Sequence, residues 1–176
     1  NMKALHALKM LTPSKINKPV NTCKSKGFND LLKKYNNQEF KNVIRKADEL
    51  LKIYPNENDL HNIQGASNAA LGKFDKAIKC YENILKIEPN SAKAYFNIAV
   101  MHDKLDSPKI ALKNYKNAIK IKPDYADAQN NMGSTYKELG DFDSALNAYK
   151  KATLIQPNHA FAFNNIGNIY ITVPSF

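Results

Sequence analysis

Residues 130–157 read NNMGSTYKELGDFDSALNAYKKATLIQP, and residues 61–89 read HNIQGASNAALGKFDKAIKCYENILKIEP. Shifted by two periods of 34 residues, the segments agree at Gly65 and Gly133, at Leu71–Gly72 and Leu139–Gly140, and at Phe74 and Phe142. They agree again at Ala77 and Ala145, Tyr81 and Tyr149, and Pro89 and Pro157. The intervening period supplies Ala99, Pro108, Ala111, Tyr115 and Pro123 in the same register. An earlier one supplies Leu31, Phe40, Val43, Ala47 and Pro55, and Gly167 and Tyr170 begin the pattern once more. A period of this length marks a repeat architecture in which each unit is one helix–turn–helix.

Each column has a physical reason. The small residues Gly65, Ala99, Gly133 and Gly167 let the first helix of a hairpin approach the second, where a bulky side chain would overpack the contact. The alanines do the same on the second helix, and Tyr81, Tyr115 and Tyr149 are expected to fill the space between adjacent units. Proline has no amide donor and forces its predecessor out of helical geometry, so Pro55, Pro89, Pro123 and Pro157 end the second helices. Gly72 and Gly140 provide left-handed caps. In the third unit Ser107–Pro108 is expected to act as an N-cap followed by proline at the first helical position. The fold expected is all-α: a right-handed α-solenoid of antiparallel helix pairs.

These columns resemble the tetratricopeptide repeat (TPR). The resemblance runs from residue 24 to about residue 173 and divides the chain into six parts. Residues 1–26 are a basic leader, with a short helix at Met2–Leu11 and a linker holding Pro13 and Pro19. Residues 27–57 form a divergent first repeat with a short first helix. Residues 58–91, 92–125 and 126–159 form three regular repeats, and 160–176 the first helix of a fifth, incomplete one. The opening Phe28–Leu31–Leu32–Tyr35 also resembles bacterial proteins that place such repeats ahead of a glycosyltransferase or sulfotransferase domain. The unfinished fifth repeat leads us to expect either a longer protein or self-association through the exposed C-terminal helix.

In such a stack the first helices line an inner, concave wall suited to an extended segment or a helix of a partner. The register places Asn62, Lys93, Phe96, Asn97, Asn130, Asn131, Ser134, Lys137, Asn164, Asn165 and Asn168 on that wall. Asn97, Asn131 and Asn165 stand one period apart, each just before the apolar–small pair, while Ile63 interrupts the column in the second repeat. An amide offers donor and acceptor together, so a column of amides can hold a peptide main chain whatever its side chains. This resembles the asparagine ladder of O-GlcNAc transferases. Repeats that clamp a C-terminal carboxylate need a Lys–Asn–Arg set that is never complete here, the lone arginine, Arg45, lying on a second helix.

Net charge is +10, concentrated in residues 1–57, with 12 Lys/Arg against 5 Asp/Glu, and in a helix carrying Lys109, Lys113, Lys116 and Lys120. That distribution is a basic leader plus one solvated helix face rather than a continuous nucleic-acid stripe, so salt-sensitive nucleic-acid binding through the leader is the weakest reading. Cys23 and Cys80 stand outside metal-ligand spacing and read as free thiols of a reducing compartment, giving a cytoplasmic expectation. The absence of 18 consecutive apolar residues argues against a membrane span, and the first residues lack the apolar centre of a secretory signal. His6, His61, His102 and His159 are scattered, and neither a phosphate loop nor a nucleophile motif appears. The expectation is therefore not an enzyme, with no catalytic residue, metal or cofactor, but a scaffold for a protein or peptide partner.

Overall fold

A computed structural model describes residues 22–172, with side chains from Gly27 onward. The expected helix at Met2–Leu11 and most of the linker lie outside the described residues. The described residues contain helices and turns only: α1 (Thr22–Asn36), α2 (Phe40–Ile53), α3 (Asn58–Ala70), α4 (Phe74–Ile87), α5 (Ala92–Lys104), α6 (Pro108–Ile121), α7 (Ala126–Glu138), α8 (Phe142–Ile155) and α9 (Ala160–Thr172). They fall into two compact units, divided between Pro89 and Asn90. One correction concerns α1. It is not short but spans 15 residues, and it starts ahead of the expected boundary at residue 27. Nothing between Thr22 and Gly27 forbids a helix, since Pro13 and Pro19 lie upstream and a single interior glycine costs only about 1 kcal/mol.

The amino-terminal unit packs Phe28 and Leu31 of α1, Val43 and Ala47 of α2, and Leu60 and Ile63 of α3 into one apolar cluster. In both units the small-residue column works inside the hairpin. A Cβ on Gly65 would stand 2.7 Å from Tyr81 Cε1, and one on Gly133 would stand 2.7 Å from Tyr149 Cε1. The fully buried rings of Tyr81 and Tyr149 lie against the first helix of their own repeat. Gly167 differs: a Cβ there meets nothing within 4 Å among the described residues.

All four turns from first to second helix close in the same way. The amides of Glu39, Lys73, Ser107 and Asp141 reach back to the carbonyls of Lys34, Asn68, His102 and Tyr136 at 2.9–3.0 Å. This closure needs a left-handed residue just before the donor. Gly72 (φ 71°) and Gly140 (φ 78°) supply it as expected, but Gln38 (φ 62°) and Asp106 (φ 51°) hold the same positions with a side chain. A left-handed residue with a Cβ is strained by about 1–2 kcal/mol, and aspartate tolerates it better than glutamine. Gln38→Gly should therefore raise the unfolding free energy by about 1 kcal/mol and Asp106→Gly by less, read as urea midpoints. A lowered midpoint for Gln38→Gly would contradict the strain argument.

Ser107 is a second correction. It occupies the position before Pro108, but its hydroxyl donates to Leu105 O at 3.3 Å instead of capping α6. Asp141 does cap, accepting from the Ser144 amide at 3.0 Å. The buried His159 lies just ahead of α9, and its Nδ1 accepts the Ala162 amide at 3.2 Å. Nε2 therefore carries the proton and donates to Asp127 Oδ1 at 3.2 Å, joining the start of α9 to α7. Nothing in the spacing of the histidines disclosed this role.

Candidate functional site

Within the carboxy-terminal unit the first helices α5, α7 and α9 lie side by side, α7 touching both of the others. This is the wall on which the sequence places its amide column. Asn97 of α5 is 1% exposed, and its Nδ2 is buried without a hydrogen-bond partner. Asn131 of α7 and Asn165 of α9 are half-buried. Asn165 Nδ2 donates to Asn130 Oδ1 at 3.0 Å, and Asn130 Nδ2 donates to Asn131 Oδ1 at 3.2 Å. Three of the expected residues are thus joined directly to one another, and Asn97 stands apart from them on α5.

The remaining expected residues divide. Asn164 and Asn168 are exposed on α9, and Lys93 and Lys137 are half-buried on α5 and α7. Ser134 turns toward α8, accepting from Tyr149 OH at 3.2 Å while donating to Asn130 O at 3.4 Å. Asn62 belongs to the other unit, where it is buried with Oδ1 unpartnered. Phe96 is corrected from wall to core. It is 3% exposed, stacked on Tyr125 at 5.0 Å between centroids and 6.0 Å from the Tyr115 ring.

Near the amides lies a half-buried acid. Asp103 Oδ2 accepts from Tyr115 OH at 2.6 Å, and Oδ1 accepts from Thr135 Oγ1 at 3.0 Å, tying α5 to α6 and α7. Burial raises the Asp103 carboxyl to about 6, outweighing the Tyr115 and Thr135 hydrogen bonds that lower it. Glu138 raises it further and Lys104 opposes that. Burial also pushes the Tyr115 phenol well above its ordinary value, and the neighbouring Asp103 acts in the same direction. The arrangement is particular to this repeat. Ala69 holds the register position of Asp103 in the preceding one, and there the Tyr81 hydroxyl is buried with no partner. The sequence alone assigns Asp103 no role, because its partial burial depends on how three helices meet.

Among the described residues no group of His, Cys, Asp or Glu could hold a metal ion, and no helix is long and apolar enough to cross a membrane. Cys80 is free and buried, and burial raises its thiol to about 11.

No curated protein sequence matches the chain. Among solved structures, MamA is similar, with a TM-score of 0.73 and 28% identity over 80% of this chain and 82% of that one. YrrB, a TPR protein with an unusual peptide-binding site, aligns with a TM-score of 0.66 and 20% identity over 83% of this chain and 75% of its own. The first TPR of Spaghetti (RPAP3), bound to the HSP90 peptide SRMEEVD, aligns with a TM-score of 0.61 and 23% identity. That alignment covers 64% of this chain and 89% of the other. Family models of the TPR repeat match residues 66–106 and 110–140, and a tetratricopeptide-repeat model matches 126–159, together more than half of the chain. With its helical hairpins recurring at the period of 34 residues, the chain belongs to the tetratricopeptide-repeat family.

Proposed function

We propose that this protein is a protein–protein interaction module that holds an extended segment of a partner along α5, α7 and α9, chiefly through its main chain. The observation that carries this reading is the row of accessible amides on these helices: Asn131 and Asn165 are half-buried one period apart, Asn164 and Asn168 are exposed beside them, and Asn165 is bonded to Asn130. Asn131 accepts from Asn130 through Oδ1, and Asn165 spends one N–H on Asn130 and keeps the second for a ligand. The same fold carries a peptide-binding site in YrrB and a bound peptide in Spaghetti (RPAP3), which supports the reading by likeness of fold.

The wall carries little charge, which favours main-chain contacts over recognition of an acidic or basic motif. For a partner isolated with the intact chain, the triple variant Asn97→Ala, Asn131→Ala, Asn165→Ala should weaken binding at least about tenfold by titration calorimetry. That is the minimum expected if even one of three buried hydrogen bonds is lost in full. Unchanged affinity, with the helical spectrum intact, would sink the proposal.

A further inference from the structure

α6 carries a row of like charges that its own helix does not balance. Its sequence, PKIALKNYKNAIKI, holds Lys109, Lys113, Lys116 and Lys120 and no acidic residue. The helical turn brings these four onto one narrow strip, opposite the buried Ala111, Tyr115 and Ala118, and all four are exposed. Like charges three and four residues apart repel, and a cation in the first turn, here Lys109, opposes the helix dipole. Other second helices include acids. Arg45 and Lys46 of α2 pair with Glu49 at 2.8 and 3.1 Å, and α4 mixes Asp75 and Glu82 among its lysines. On α6 no ion pair joins any of the four lysines to an acid among the described residues. Lys116 Nζ lies 5.9 Å from the Tyr136 ring centroid, near the outer limit of about 6 Å for a cation–π contact. A local arrangement that works against the free helix points to a partner that relieves it.

We propose that this outer face of α6 docks an acidic amphipathic α-helix of a second protein, its carboxylates lying along the lysine row. The inference is independent of the peptide-wall reading. Tyr115 points the buried face of α6 at Phe96 and Asp103 of α5, so the lysine row looks away from α5 and from a segment held on the first helices. Three features select a helix over other anionic partners. The lysines step along the axis by about 6, 4.5 and 6 Å, steps that acids at the same spacing on a helix lying alongside repeat. An extended acidic strand, with same-side residues about 6.8 Å apart, falls out of step over the row. Apolar side chains flank the row, Ile110 (46% exposed) on one side and the half-buried Leu112 and Ile119 on the other, and these suit the shoulders of an amphipathic helix. A phosphate backbone has no use for such flanks, and a membrane-surface helix would place apolar residues where the lysines stand. In the chain the row is bounded by the exposed Asp106 and Asp124, which confines it to one short helix.

The test uses the full chain at low salt and a synthetic helical peptide of alanine and leucine, with glutamates four, three and four residues apart on one face. A control peptide has the same composition with its glutamates spread around the helix. The first peptide should bind at least about tenfold more tightly than the control, and its affinity should fall about tenfold in the double variant Lys113→Glu, Lys120→Glu. In that variant the urea midpoint should hold or rise, because repulsion within α6 is relieved, so lost binding is not lost folding. Changing the exposed Lys150 and Lys151 of α8 to glutamate alters net charge equally and should shift affinity less than about twofold. Equal binding of the two peptides overturns the helical match. Equal losses in the α6 and α8 variants show general charge attraction and overturn the site. Tighter binding of oligothymidylate or of phosphatidylserine vesicles, lost in the α6 variant, overturns the protein partner in favour of nucleic acid or membrane. A urea midpoint that falls in the α6 variant overturns the repulsion from which the inference starts. None of these outcomes bears on the amide wall.

Discussion

Replacing Tyr115 with alanine is expected to lower the unfolding free energy by about 3–5 kcal/mol, the loss typical of truncating a large buried aromatic side chain. Tyr115 is fully buried, shares the core with Phe96 and supplies the 2.6 Å hydrogen bond to Asp103. Truncation would open a cavity beside Phe96 and leave a half-buried acid with Thr135 as its main partner. Tyr81 is the control. It is equally buried, but its hydroxyl has no partner, so Tyr81→Phe should be neutral or slightly stabilising where Tyr115→Phe is destabilising at pH 8. Urea unfolding of these three single variants separates the contribution of the ring from that of the hydroxyl. A Tyr115→Ala loss below about 1 kcal/mol would mean the repeat repacks around the gap, contrary to a close-packed hairpin.

The second large effect is on pH. Asp103 is raised from 3.8 to about 6 by burial, so between those values the folded protein binds more protons than the unfolded chain. Stability must then fall as pH rises through that window, by on the order of 2–3 kcal/mol in all. This is opposite in sign to the behaviour of Glu39, Glu49 and Asp141, whose carboxyls are lowered by side-chain hydrogen bonds from Asn42, Lys46 and Ser144 respectively and which lose stability in acid. The informative quantity is therefore the difference between wild type and Asp103→Asn. The two should be closest near pH 4, with the variant gaining steadily on wild type up to about pH 7. Parallel stability curves across that range would show that Asp103 is not held in its neutral form.

The repeat was legible in the sequence because its periodic columns answer to local rules. Proline, glycine and alanine act through backbone geometry and through contact within one hairpin, so their spacing alone places the helices. The left-handed column was legible only where glycine fills it, at Gly72 and Gly140. Gln38 and Asp106 do the same work with residues that carry no such signature. The amide column was legible as a register, but its connections were not. Whether a residue of a first helix faces the wall or the core depends on where the flanking helices press, and one residue rotates the direction by about 100°. Phe96 therefore reads as a wall residue and folds as core under Tyr125, while its neighbour Asn97 keeps a buried, unpaired amide. The Asp103–Thr135 and Asn165–Asn130 bonds join α5 to α7 and α9 to α7 across 32 and 35 positions, tertiary contacts that the spacing of the columns does not disclose.

The central claim is that a partner lies on the first helices of the carboxy-terminal unit and is gripped by their amides. It is tested most directly by placing a photo-crosslinking residue in the intact protein, one position at a time. Lys137 and Asn164 mark the first-helix wall, and the exposed Lys113 and Asn147 mark the second helices. Crosslinks to the partner from positions 137 and 164, lost when Asn97, Asn131 and Asn165 are changed to alanine, are the predicted result. Crosslinks from 113 and 147 that survive those changes would contradict it.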